Sequence, residues 1–172
     1  MSEKQYLASS DSALIRKVLR DHSGESALEI GAGNGGNLVE LAEGFGLVVG
    51  TDIVRPGMTD WREKGVQFVL ADRATCLKDS AFDLVAFNPP YLEGEIVDSA
   101  VDGGVDLEVP HRFMDEALRV VKPSGKVVFL LSDEAELGEF DMVCAAKRFR
   151  AHKVASERGF FEELSVYVAE GS

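Results

Sequence analysis

The sequence predicts an α/β protein with a doubly wound, mostly parallel seven-stranded sheet that ends in an antiparallel hairpin. Three observations support this prediction. Short apolar runs of strand length alternate with amphipathic helical segments along the chain. A glycine-rich turn, Gly31-Ala-Gly-Asn-Gly-Gly36, follows the first of these runs. Three later runs are followed by Asp52, Asp72 and Asn88, at the strand ends where open α/β sheets bind their ligands.

The first half of the chain contains an N-terminal helix and three strand segments. Residues 10–21 carry apolar side chains at helical spacing, and Ser10 or Asp11 can cap this helix. We predict a single domain over residues 1–172, in which residues 1–24 form a helix that packs on the core. The other elements predicted here are strands at 26–30, 47–52 and 66–71, a helix at about 37–43 and a short helix that reaches Trp61.

The second half begins with a buried strand at 82–87, which two prolines end abruptly. A long loop rich in Gly and Asp follows Tyr91. Pro123-Ser-Gly125 predicts a turn, and Arg158-Gly159 predicts a hairpin that adds an antiparallel strand at one edge of the sheet. The remaining predicted elements are helices at about 108–121 and 134–147 and strands at 126–131, 150–156 and 162–169.

The composition is typical of a globular protein with one domain. The chain has 172 residues, of which 45% are hydrophobic. No apolar run approaches the ~20 residues that a membrane span needs, and no basic-then-apolar segment opens the chain, so we predict no signal peptide and a cytoplasmic location. Cys76 and Cys144 are too few for a disulfide framework and lack the spacing of a zinc site, which predicts reduced thiols and no metal site.

The charge of the chain disfavours nucleic acid as a partner. The formal net charge is −12, whereas binding to phosphates depends on Lys and Arg. Residues 147–153 are nevertheless basic within this acidic chain. We interpret them as a solvated helix end and the strand that follows, with a patch that faces the substrate as the alternative.

The glycine turn and the acids around it predict a cofactor site. The spacing Gly31-x-Gly33-x-x-Gly36, with Asp52 about 20 residues later, is shared by NAD enzymes and methyltransferases. Glu29 would repel a pyrophosphate but suits the cationic amino and sulfonium groups of S-adenosylmethionine. Asp72 ends the third strand, where it can accept from an adenine amino group. These acids favour S-adenosylmethionine over NAD.

Asn88-Pro89-Pro90-Tyr91 predicts a site for a planar –NH2 group. The Asn88 side-chain oxygen and the Pro89 carbonyl can accept its two hydrogens, and proline fixes the direction of that carbonyl. Tyr91 can stack on the flat group. The nitrogen would then face an electrophile in line, so that orientation supplies much of the catalysis. The alternative is a proline-rich turn that merely ends a strand.

The same residues carry a resemblance to the class I S-adenosylmethionine-dependent methyltransferases, which have a Rossmann-like fold. They are Glu29-Ile-Gly-Ala-Gly-Asn-Gly35, Thr51-Asp52, Ala71-Asp72 and Asn88-Pro-Pro-Tyr91. Within that class, the chain resembles the short HemK-like release-factor glutamine methyltransferases of archaea and eukaryotes. That resemblance rests on Tyr6-x-x-x-x-Asp11-Ser12, on residues 100–113 and on the ending 155–166.

The resemblance implies roles for individual residues. Asn88 and Pro89 would hold the amide of the glutamine in the Gly-Gly-Gln motif of a peptide-chain release factor, with Tyr91 beside them. A small zinc-binding activator protein often accompanies enzymes of this type, and it could pair with a sheet edge or cover an apolar patch. The residues that would bind S-adenosylmethionine are Ser12, Glu29, Gly31, Gly33, Asp52, Asp72, Arg73 and Asn88.

Two alternatives of function remain open at this point. The same fold and the same Asn-Pro-Pro-Tyr chemistry suit the amino groups of adenine or guanine in RNA or DNA. A cofactor-binding partner protein without catalysis is the alternative from another class, although the intact site residues disfavour it. No residue stands out as a strong general base, and we interpret His111 as a residue at a helix start rather than as a catalytic one.

Overall fold

The computed structural model describes residues 12–55, 60–90, 92–93, 102–104, 108–133, 137–159 and 163–171. The strands are β1 (Gly24–Ile30), β2 (Phe45–Asp52), β3 (Gln67–Leu70), β4 (Phe82–Phe87), β5 (Leu92–Glu93), β6 (Asp102–Gly104), β7 (Val121–Ser132), β8 (Phe149–Arg158) and β9 (Glu163–Gly171). The helices are α1 (12–19), α2 (Gly36–Gly44), α3 (Asp60–Glu63), α4 (Glu108–Val120) and α5 (Leu137–Ala146).

Seven of these strands form one sheet in the order β3-β2-β1-β4-β7-β9-β8. Strands β3, β2, β1, β4 and β7 are parallel, and β9 is antiparallel to both of its neighbours. The predicted fold class is therefore confirmed. The antiparallel strand, β9, was predicted at the edge of the sheet. It lies second from the edge, because β8 is the edge strand.

Helices cover both faces of the sheet, and each face has its own core. Alternate residues of β7 show the division, because Phe129 belongs to one core cluster and Leu130 to the other. The first cluster also contains Met114 of α4 and Phe140 of α5. The second contains apolar residues of α1 and α2, namely Leu14, Ile15, Leu19, Leu38 and Leu41. Helix α1 thus packs on the sheet. Residues 10 and 11 lie outside the described ranges, and the assignment of residues 1–172 to a single domain, with an N-terminal helix within residues 1–24, stays a prediction.

The turn predicted at Pro123-Ser-Gly125 lies within β7 as a wide bulge. The pairing with β4 moves from Phe82–Val121 to Leu84–Lys126, so β7 carries three extra residues in that interval. A Cβ on Gly125 would lie 2.7 Å from the backbone oxygen of Asp83. The bulge therefore fits only because residue 125 has no side chain.

One further difference concerns the segment after β4. Strands β5 and β6 form a separate parallel pair within the segment predicted as a loop. Cys76 is exposed and Cys144 is buried, both as free thiols, and burial raises the pKa of Cys144 to about 11.

Within the ranges described here, no helix is long and apolar enough to cross a membrane.

We predict that Gly125→Ala lowers the free energy of unfolding by about 1–3 kcal/mol, because the new methyl group would collide with the backbone of β4. Urea unfolding followed by circular dichroism measures this change. Gly138→Ala is the matched control, since a Cβ there meets no atom of the structurally described part of the chain within 4 Å. A Gly125→Ala protein as stable as the wild type would contradict the close approach of the two strands.

Candidate functional site

The site lies where the chain direction across the sheet reverses. From β1, the chain continues to β2 and β3 on one side, whereas β4 and β7 lie on the other. Ile30 at the end of β1 pairs with Phe87 at the end of β4. Gly31 and Asn88 therefore leave neighbouring strands at the same level, at the switch point where doubly wound sheets bind ligands.

The glycine turn is held by backbone hydrogen bonds to β2. The N–H groups of Gly31 and Ala32 both donate to the Thr51 carbonyl oxygen, each at 2.9 Å. The Asp52 carboxylate accepts from the Gly33 N–H at 2.8 Å and from the Val54 N–H at 2.9 Å. Asp52 thus ties the turn to the end of β2.

The turn leaves open space above Gly33. Gly33 has a φ of +54°, and a Cβ there would meet no atom of the described residues within 4 Å. Gly31, with a φ of +74°, is instead covered by Phe113 of α4, whose Cε1 atom would lie 3.1 Å from a Cβ. Phe113 also contacts Phe87, with ring centroids 5.9 Å apart. The aromatic rings of Phe113 and Phe87 therefore fill the space between Gly31 and α4. The surface over Gly33 can receive a ligand.

Glu29 is buried beneath this turn, and no Lys, Arg or His among the described residues is in hydrogen-bond contact with it. Its Oε1 atom accepts from Asn37 Nδ2 at 2.7 Å, and its Oε2 atom has no hydrogen-bond partner among the described residues. Burial raises the pKa of Glu29 to about 8, although the Asn37 hydrogen bond lowers it; the negative charge of Asp52 raises it and the positive charge of Arg16 lowers it. A buried carboxyl of this kind is suited to a cationic ligand group.

Asn88 presents a second acceptor that has no partner. Its side-chain oxygen is buried and lacks a hydrogen-bond partner within the described part of the chain. Pro89 is buried and Pro90 is partly buried behind it. The position predicted for Tyr91 lies outside the described residues. The chain from Asn88 to Pro90 therefore begins beside the glycine turn, and the described part of this segment ends at Pro90.

The other predicted site residues lie around the same end of the sheet. Asp72 follows β3 and is 58% exposed, and one of its oxygens accepts from Arg73 Nη2 at 2.9 Å. Arg73 has a φ of +51°, a left-handed conformation, and its Nε atom is buried with no partner among the described residues. Ser12 is partly buried at the start of α1.

Sequence reasoning missed the side chains that orient the predicted ones. Asn37 holds Glu29, and Phe113 covers Gly31. Asn37 could have been found, because it is a polar residue on the face of α2 that buries Leu38 and Leu41. The positive charge of Arg16 on α1 lowers the pKa of Glu29. This effect depends on tertiary structure, and no local sequence pattern predicts it.

His111 contacts α5, and the basic segment begins at the end of the sheet opposite to the site. His111 stacks on Phe140, with ring centroids 4.6 Å apart, and its Nε2 atom lies 2.9 Å from Glu139 Oε2. In the segment 147–153, Phe149 on β8 pairs with Gly171 on β9. The next residue of β9, Glu170, pairs with Lys126, the first residue of β7 after the bulge. The beginning of this segment is therefore at the amino end of the parallel strands, opposite to the site.

Comparisons with known proteins agree with this architecture. The family described as "Methyltransferase domain" matches residues 28–129. A release factor glutamine methyltransferase of Caulobacter vibrioides is 30% identical, over a match that covers 64% of this chain and 46% of the relative. The chain thus matches about half the length of this curated relative.

Solved structures show the same fold at low sequence identity. The E. cuniculi Mtq2-Trm112 complex, described as responsible for methylation of the eRF1 translation termination factor, matches with a TM-score of 0.72 and 22% identity, covering 91% of this chain and 94% of that one. The T. thermophilus 16S rRNA N2 G1207 methyltransferase, in complex with AdoMet and guanosine, has a TM-score of 0.64 and 23% identity, covering 94% of this chain and 43% of that one.

The fold and the site define a class I S-adenosylmethionine-dependent methyltransferase. Because the family match covers more than half of the chain, the protein belongs to the methyltransferase domain family. The predicted cofactor, S-adenosylmethionine, is thereby confirmed. The chain's own residues fit it, since the space over Gly33 is open and the orphaned oxygens of Glu29 and Asn88 can accept hydrogen bonds.

We predict that the stability of the cofactor-free protein falls as the pH rises from 5.5 to 8.5. A carboxyl whose pKa is raised by folding contributes stability while protonated, and loses it as the pH rises through the folded-state pKa, which is about 8 for Glu29. Between these pH values, the wild type should lose on the order of 2–3 kcal/mol more than Glu29→Gln, which cannot ionise. Urea unfolding at several pH values measures the difference, and parallel curves for the two proteins would refute it.

Proposed function

We propose that this chain methylates the side-chain amide of a glutamine in a peptide-chain release factor. The observation that carries the proposal is the Asn88 side-chain oxygen, which is buried next to the glycine turn and has no hydrogen-bond partner among the described residues. An unsatisfied buried acceptor costs about 1–3 kcal/mol, and a planar –NH2 group would supply the missing donor. The names of the C. vibrioides relative and of the E. cuniculi complex support a release factor as the substrate.

In this proposal, the cofactor lies over Gly33, between the ends of β1, β2 and β4. Glu29 accepts from the ammonium group, Asp52 from ribose hydroxyls and Asp72 from the adenine amino group, with Arg73 holding the Asp72 carboxylate. Gly33 allows a close approach, Gly31 gives the turn its left-handed conformation beneath Phe113, and Ser12 contributes from α1. Bound S-adenosylmethionine supplies an electrophilic methyl group.

The chain's own catalytic contribution is orientation. The Asn88 side-chain oxygen and the Pro89 carbonyl accept the two hydrogens of the substrate amide, and Tyr91 stacks on its plane. With its hydrogens held in this plane, the nitrogen can meet the methyl group only in line. A methylated amide nitrogen loses a proton readily to water, so the reaction needs no strong base, and His111 is engaged between α4 and α5.

Methylation of an amino group of a nucleic-acid base is the second candidate. The T. thermophilus structure that holds guanosine shares this fold, and the acceptors of Asn88 and Pro89 suit an exocyclic amine equally well. Against it stands the net charge of −12. The beginning of the basic segment 147–153 also lies at the opposite end of the parallel strands from the site.

We predict that Asn88→Ala lowers kcat by about 100- to 1,000-fold, because one of the two orienting acceptors is lost. The Kd for S-adenosylmethionine should change by less than about fivefold, since Glu29 and Asp52 remain in place. Transfer of a labelled methyl group to the release factor of the same organism measures the rate. Calorimetry measures the binding.

Two controls make this result specific. A release factor with Ala in place of the Gly-Gly-Gln glutamine must accept no label, and RNA is assayed side by side. His111→Phe should keep the ring stacked on Phe140 and leave the rate within about twofold. Transfer to RNA alone would favour the second candidate, and cofactor binding without transfer to any substrate would favour a non-catalytic partner.

We further propose that a small partner protein covers the edge strand β3. Leu70 on β3 is 63% exposed, and Ile53 and Val54 at the end of β2 are 59% and 67% exposed. Asp52 pairs with Leu70, so these apolar side chains cluster at one corner of the sheet. Exposed apolar groups on an open edge invite strand pairing. The Trm112 subunit of the E. cuniculi complex supports a partner of small size.

We predict that Leu70→Lys weakens partner binding at least tenfold without lowering the stability of the isolated chain, because the side chain is already exposed. Co-expression with the Trm112-like protein of the same organism, followed by calorimetry, measures this. Met142→Lys is the control, since Met142 is 68% exposed on α5, on the other side of the molecule. Equal binding by both variants would exclude the β3 edge as the interface.

A further inference from the structure

Two buried oxygen atoms beneath the glycine turn lack donors, and they belong to two side chains that already touch. Asn37 Nδ2 donates to Glu29 Oε1 at 2.7 Å. Among the described residues, neither Glu29 Oε2 nor Asn37 Oδ1 has a hydrogen-bond partner, although both atoms are buried. Each unsatisfied acceptor carries the cost of its lost hydration.

One proton would satisfy both atoms. A carboxylic acid and a primary amide are complementary, since the amide N–H donates to the acid carbonyl while the acid O–H donates to the amide oxygen. The first of these two bonds is the one observed. A proton on Glu29 Oε2 would turn this atom from an orphaned acceptor into a donor for Asn37 Oδ1.

We propose that Glu29 and Asn37 form a carboxylic acid–amide pair in the cofactor-free protein, and that the ammonium group of the bound cofactor replaces the proton. The proposal rests on the cofactor role of Glu29 under the proposed function. Asn37 is then a positioning residue, because it fixes the carboxyl plane and leaves Oε2 for the ligand.

The charges around the pair agree with this exchange. Asn37 faces Glu29 from α2, while Asp52 on β2 and Arg16 on α1 act on it with opposite charge effects. Burial is the largest effect and acts in the same direction as Asp52, and together they outweigh the Asn37 hydrogen bond and Arg16 and raise the pKa of Glu29 to about 8. At neutral pH the carboxyl therefore keeps its proton until a cation takes its place.

The exchange balances in atoms and charge. Before binding, the pair is neutral and the ligand carries an ammonium group. After binding, the Glu29 carboxylate accepts from the ammonium, and one proton has gone to the buffer. Binding is thus linked to pH, and the affinity for the ligand rises as the pH approaches the pKa of Glu29.

Calorimetry with S-adenosylhomocysteine tests the proposal, because this ligand has the ammonium group and needs no methyl acceptor. At pH 6.5, titrations in two buffers with different ionisation enthalpies count the protons released. We expect close to one proton per ligand for the wild type and none for Glu29→Gln. The Kd of the wild type should fall roughly fiftyfold between pH 6 and pH 8.

The variant Asn37→Leu tests whether Asn37 positions the Glu29 carboxyl or only fills space. The variant removes both the donor that favours the ionised carboxyl and the acceptor that favours the neutral acid. The midpoint of the Kd profile should therefore move away from its wild-type value, with about tenfold weaker binding at pH 7. A residue that only fills space would leave the midpoint unchanged. Glu43→Gln is the control, because Glu43 is an exposed acid on the same helix that pairs with Lys64, and it should reproduce the wild-type profile.

A measurement on the wild type covers the case in which the variant does not fold. Carbon-13 NMR of labelled glutamate should show one carboxyl that titrates near pH 8 without ligand and is ionised at pH 6.5 with S-adenosylhomocysteine bound. Ligand binding without proton release, or a Glu29 carboxyl ionised at pH 6.5 before binding, would overturn the proposal. Proton release without methyl transfer to a release factor would overturn only the proposed acceptor, and absence of ligand binding would overturn both proposals.

Discussion

The parallel pairing of β1 with β4 is the constraint on which the whole site depends. It sets Ile30 opposite Phe87, so the turn after β1 and the amide after β4 emerge side by side. A slip of this register by one residue would reverse which side chains of β4 face each core. The apolar layers on the two faces therefore hold the relative position of Gly31 and Asn88 more firmly than any contact between these two residues.

The site combines groups that are satisfied with groups that are not. Each oxygen of the Asp52 carboxylate accepts from one backbone N–H group, which fixes its orientation and leaves further lone pairs for a ligand. Glu29 and Asn88 instead keep buried oxygen atoms that have no hydrogen-bond partner in the described part of the chain. Such atoms are costly in a folded protein, and their presence at one end of one sheet is the physical mark of a binding site.

Much of this arrangement could be predicted from local sequence. The strand ends at Asp52 and Asn88 and the glycine turn follow from period, composition and turn chemistry, which are properties of short segments. The wide bulge at Gly125 could not be predicted, because it depends on how closely β7 approaches the backbone of Asp83. The contact of Asn37 with Glu29 was also missed, since an amide on the buried face of a helix has meaning only once its neighbour in the sheet is known.

The pairing of β1 with β4 has a consequence for how the protein assembles. Ile30 and Phe87 are far apart along the chain, and so are the partners Lys126 and Glu170 of β7 and β9. Sheets built from such distant partners form slowly, because the entropy of closing long loops is lost before the contacts are gained. Helices such as α4 can form early from local interactions. The binding site for the methyl donor forms only when β1 and β4 have paired at the centre of the sheet.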